Sequence, residues 1–94
     1  MNGSPRKTFV AECFWPGVTR ADLSTLHARA SRAGGLSSGS EPGARYRGWM
    51  LMPDDEVVFC FFDALSADAA SVAARAAGIP YARIVESTAQ LHRP

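Results

Sequence analysis

The sequence predicts an α+β fold of element order βαββαβ, with one four-stranded antiparallel sheet and two helices on one of its faces. Three observations carry this reading. Two strand–helix–strand units follow one another along the chain. The turn Pro53-Asp54-Asp55 places their inner strands at hairpin distance. The stretch DEVVFCFFD (55–63) is apolar on both faces, the pattern of a strand at the centre of a sheet rather than at its edge.

Residues 1–7 (MNGSPRK) are polar and hold Gly and Pro, as a frayed tail does. Thr8 to Phe14 (TFVAECF) is rich in β-branched and aromatic residues and reads as the first strand, stopped by Pro16-Gly17. Thr19 is an N-cap with Asp22 three residues on, where a capping box carries Glu or Gln. Leu23, Leu26, Ala30 and Ala33 then recur at helical spacing until Gly34-Gly35, the expected helix end. A Gly/Ser loop (34–44) leads to a second strand, Arg45 to Met52, in which Gly48 marks a bulge. The third strand covers 56–63. Ser66 opens an alanine-rich second helix that ends at Gly78, and Pro80 precedes a last strand, Tyr81 to Ser87. Right-handed crossovers turn this order into a ferredoxin-like sheet with the first and third strands adjacent at its centre. Residues 8–87 are expected to form one domain, with 1–7 and 88–94 as flexible tails.

The chain has 94 residues, 47% hydrophobic and 20% charged, a globular composition with room for one core. A net charge of +1, with the nine arginines and Lys7 scattered, gives no electrostatic case for nucleic acid or an acidic membrane surface. No apolar run reaches the roughly 18 residues that span a bilayer. The N-terminal apolar run breaks at Glu12, against a signal peptide. Two cysteines, Cys13 and Cys60, make no disulfide framework. A reduced, cytoplasmic protein is the expectation.

The third strand also predicts an assembly. Val57, Phe59 and Phe61 point one way and Val58, Cys60 and Phe62 the other, while two helices cover one face only. Burying three such side chains is worth about 5–8 kcal/mol before association costs. The expected cover is a second copy packed sheet to sheet, and a small apolar ligand is compatible with it. The alternative is shielding by the 34–44 loop and the C-terminal tail.

Three segments, VAECFWPGVT (10–19), DDEVVFCFFDALSADA (54–69) and ARAAGIPYARIVE (74–86), resemble a family of small bacterial proteins similar to a streptomycete nickel-binding protein. The resemblance runs from about residue 9 to 87. It implies a ferredoxin-like fold, dimers of α/β-barrel appearance, and nickel as the metal. Members place a histidine in the second helix ahead of an Arg-x-x-Gly-x-Pro signature; Ala73 stands there in this chain, before Arg75 to Pro80. Its hairpin likewise has Arg47-Gly48-Trp49 and no histidine. The expectation is therefore a member without a tight metal site.

In the core region Cys13, His27, Cys60 and Glu12 are the candidate metal ligands, the first three above all, and nickel or zinc wants three or four groups converging. Glu12 and Cys13 point to opposite faces of their strand, and His92 lies in the tail. With no Cys-x-x-Cys, the cysteines read as small core hydrophobes, and His27 as a helix-surface histidine. Glu12 interrupts an apolar central strand. It needs solvent or a partner such as Arg47 or Arg83, or it shares a cavity with Phe14, Val58 and Phe62 and serves as a general base. The ligand or interface face is expected to hold Phe14, Arg47, Trp49, Val58, Cys60, Phe62 and Arg83. Two functions follow: a homodimeric ligand-binding or structural module, or a small cofactor-free enzyme of monooxygenase or isomerase type with Glu12 as base.

Overall fold

The computed structural model describes residues 7–36 and 44–88, giving backbone alone for 33–36. The expected tails and the interior of the Gly/Ser loop lie almost wholly outside the described residues. The elements are β1 (Lys7–Phe14), α1 (Arg20–Leu36), β2 (Arg45–Met52), β3 (Val57–Ala64), α2 (Ala67–Ala76) and β4 (Arg83–Ser87). The strands form one sheet in the order β2-β3-β1-β4, every neighbouring pair antiparallel. This is the ferredoxin-like arrangement read from the sequence, with β1 and β3 at the centre.

Local chemistry sets the helix ends. The Thr19 hydroxyl accepts from the Asp22 N–H at 3.0 Å, and the Asp22 carboxylate accepts from the Thr19 N–H at 2.9 Å. Aspartate thus closes the reciprocal capping box usually closed by glutamate or glutamine. The helix runs through Gly34-Gly35 to Leu36, past its expected end. Glycine costs only about 1 kcal/mol in a helix interior, too little by itself to stop one. Helix α2 starts on Ser66, whose hydroxyl accepts from the Ala69 N–H at 3.1 Å. It closes with Gly78 N–H on the Arg75 carbonyl and Ile79 N–H on the Ala74 carbonyl. That is a Schellman pair, and it needs the left-handed φ of +72° that Gly78 supplies.

The core lies between the helices and one sheet face. From the strands come Phe9, Ala11, Cys13, Val58, Cys60, Phe62 and Ala64; α1 adds Leu23, Leu26 and Ala30. Helix α2 contributes only alanines, Ala70, Ala73 and Ala74, small side chains that let a helix backbone approach a sheet bearing Phe62.

One irregularity redirects β2. Tyr46 pairs with Phe62, then Gly48 with Phe61 and Trp49 with Cys60, so one extra residue is inserted at Arg47. The alternation therefore changes phase at this bulge, and Trp49 and Leu51 join Tyr46 on the helix side. Gly48 sits at φ +131°, a conformation that side-chain-bearing residues rarely adopt.

Candidate functional site: the bare sheet face and the α1–β2 groove

The face of the sheet away from the helices has no cover among the described residues. β3 places Val57, Phe59, Phe61 and Asp63 there, each half-buried. Across the register, β1 adds Thr8, Val10, Glu12 and Phe14, β2 adds Met50 and Met52, and β4 adds Arg83, Val85 and Ser87. Phe14 is 64% exposed and Met50 49%, so large apolar surface faces outward. A shallow groove of about 400 Å³ crosses the middle of this face, with Val10, Glu12, Met50, Phe59, Phe61 and Val85 in its walls.

Two ion pairs flank the apolar surface. Arg83 Nε donates to Glu12 Oε1 at 2.8 Å, and this hydrogen bond and charge hold the guanidinium more firmly protonated. Arg47 donates to Asp63 Oδ2 at 2.5 Å, and the Thr8 hydroxyl donates to Asp63 Oδ1 at 3.1 Å. Glu12, taken on sequence grounds for either a base or a partner of arginine, accepts from Arg83.

The expected interface set divides. Phe14, Arg47 and Arg83 lie on the bare face. Val58, Cys60 and Phe62 do not: they are 0–1% exposed and form the centre of the core under the helices. The reason is registry. Glu12 pairs with Phe59, so the companions of Glu12 are the odd-numbered residues of β3, and a cavity shared with Val58 and Phe62 is ruled out. Trp49 also moves, because the bulge at Arg47 turns it to the helix side.

The three foremost candidate metal ligands are not brought together. Cys13 and Cys60 are neighbours in the core and fully buried. The two thiols share a hydrogen bond, which lowers the Cys13 thiol and, together with burial, pushes the Cys60 thiol up from the ordinary cysteine range. His27 is exposed on α1, its Nδ1 within 2.9 Å of the Tyr46 hydroxyl and its ring edge-on to Tyr46 at 5.3 Å. Burial pushes the Tyr46 phenol up, so it stays protonated in this contact. Ala73, where the sequence resemblance implied a histidine in relatives, is 1% exposed within the core. No group of three or more His, Cys, Asp or Glu side chains converges among the described residues. The donors among the described residues do not fit a nickel centre, which wants several converging nitrogen or sulfur ligands.

A second concavity lies between α1 and β2. It has a volume of about 560 Å³ and apolar walls of Val18, Leu23, Trp49 and Leu51, with Arg20 and His27 among its polar groups. The sequence points to Trp49 and His27 without joining them; the expected interface set leaves out Val10, Met50 and Val85 and takes the wrong phase of the third strand, which leaves out Phe59 and Phe61. For the bare face a signal was present: Asp63 continues the phase of Phe59 and Phe61, and Thr8 and Glu12 continue that of Val10. Polar residues in phase mark the face less deeply buried in the single chain.

No helix among the described residues is long and apolar enough to cross a membrane. No curated protein sequence matches the chain. The crystal structure of SCO4226 from Streptomyces coelicolor A3(2) is similar at a TM-score of 0.66 and 17% identity, covering 89% of this chain and 99% of that one. At that identity the likeness speaks for the fold, the same sheet and helices. The family model described as nickel responsive protein SCO4226-like matches residues 9–86, almost the span over which the sequence motifs resembled that family. By that match the chain belongs to the SCO4226-like nickel responsive protein family.

Proposed function

We propose that the chain is a homodimeric ligand-binding module of the SCO4226-like family, two copies meeting through their bare sheet faces, without a tight nickel site of its own. The observation that carries the proposal is the apolar surface formed by Phe14, Met50, Met52, Phe59, Phe61 and Val85 around the buried Val10 on one face of a four-stranded sheet. A patch of that kind, rimmed by ion pairs, marks an association surface. A two-fold axis through the face would set the same patch against itself. The engagement of Glu12 by Arg83 supports a module over an enzyme, since the carboxylate already accepts from a cation.

Sedimentation equilibrium at micromolar concentration tests the assembly. The wild-type chain is expected to run as a dimer and Phe59→Arg as a folded monomer, because the substitution sets a charge in the centre of the interface. A wild-type chain that stays monomeric would sink the proposal. Calorimetric titration with nickel tests the other half, which submicromolar binding would overturn.

A further inference from the structure

The α1–β2 groove lies on the helix side of the sheet, opposite the bare face. At about 560 Å³ it is in the range of small-molecule sites, and it pairs apolar walls with few polar groups. Trp49, 39% exposed, is in it only because the bulge at Arg47 shifts the phase of β2. Bulges commonly re-aim a side chain in this way beside functional sites.

The charge of the groove is one-sided. Arg20 and His27 line it, and no Asp or Glu among the described residues does. Arg20 has no ion-pair partner among the described residues. His27 has Nδ1 committed to Tyr46, which leaves Nε2 as the ring nitrogen for a ligand. A cation and an imidazole above an apolar floor that includes an indole match a flat apolar body carrying one negative group.

We propose that this groove binds a planar aromatic carboxylate, its ring against Trp49 and Leu51 and its carboxylate directed to Arg20 and His27. The inference rests on the ligand-binding half of the reading above and is independent of the dimer.

The test is a titration of the full chain with naphthoate, and in parallel with the uncharged naphthamide, followed by heteronuclear NMR. Saturable shifts are expected at the Trp49 indole N–H and at the Ser24, His27 and Leu51 amides. Naphthoate should bind about tenfold tighter than naphthamide, the worth of one charge-assisted contact. Arg20→Gln, at an exposed position, should bring the affinity for naphthoate down close to that for naphthamide. Equal affinity for the two probes in the wild-type chain would overturn the proposal. So would shifts confined to Val10, Phe59 and Phe61, or no saturation within the solubility of naphthoate. Light scattering on the same samples separates the two claims: a dimer that ignores naphthoate removes this inference alone, and a monomer that binds it removes the dimer alone.

Discussion

Toward the helices β3 presents Val58, Cys60, Phe62 and Ala64, none more than 1% exposed; away from them it presents Val57, Phe59, Phe61 and Asp63, all half-buried. Apart from Asp63 the two sets are alike in hydrophobicity, yet one is the centre of a core and the other an outer surface. What separates them is their neighbours. The first set meets Phe9, Ala11 and Cys13 and then a layer of helix; the second meets Val10 and Glu12 and then nothing within the described chain. Burial is a property of the surroundings a residue is given, and composition alone does not assign it.

The largest expected effect comes from breaking that contrast with paired truncations. Phe62→Ala should cost about 3–5 kcal/mol, because it opens a cavity in a packed core. That loss should not depend on protein concentration. Phe61→Ala should cost little in dilute samples and progressively more in concentrated ones, since its contribution arises from association. Urea unfolding at two protein concentrations reads both variants. Equal losses, both independent of concentration, would erase the distinction between the faces.

Much of this was legible in the sequence, and the limit has a physical cause. All six elements follow from periodicity, caps and turn residues, which are local signals. The chemistry at Thr19-Asp22 and Ser66 reads directly off the chain. Which phase of β3 turns inward is only faintly marked in the strand itself, where Asp63 alone sets the Phe59 phase apart, and the pairing of Glu12 with Phe59 decides it. Trp49 is a sharper case: Gly48 announced a bulge, but a bulge reverses every side chain beyond it, so parity counted from Tyr46 fails. The groove depends on where α1 packs against β2, a long-range contact that no short motif encodes.

An intermediate effect sharpens the covered face. Ala73→His places an imidazole at a position 1% exposed on the sheet-facing side of α2. The imidazole must both overfill the core and bury a polar ring, which should cost about 2–4 kcal/mol. Nickel is not expected to raise the unfolding midpoint of this variant, since the core cluster that holds Ala73 offers only the thiols of Cys13 and Cys60 besides the new imidazole, and no three donor side chains converge among the described residues of the wild-type chain. Thermal unfolding with and without nickel checks it. A nickel-dependent recovery of several degrees would mean that the helix-side core accepts a metal, and that packing is not what fixes its identity.

The smallest effect concerns the residue on which the two faces of β2 exchange. At φ +131° Gly48 holds a backbone conformation that alanine resists, although a Cβ there would meet no atom within 4 Å. Gly48→Ala therefore tests strain without a clash, and about 1–2 kcal/mol of lost stability is expected. The strand has one escape, which is to lose the bulge and return to strict alternation. That slip would carry Trp49 and Leu51 from the helix side onto the bare face and strip the groove of its floor. Both residues pack on the core cluster or the groove, so leaving it should cost more than the strain relieved. The variant should then keep the bulge, and naphthoate binding, if the groove has it, should survive a lowered urea midpoint. Loss of that binding together with tighter self-association would show the opposite, that one glycine decides which face of the sheet receives the tryptophan.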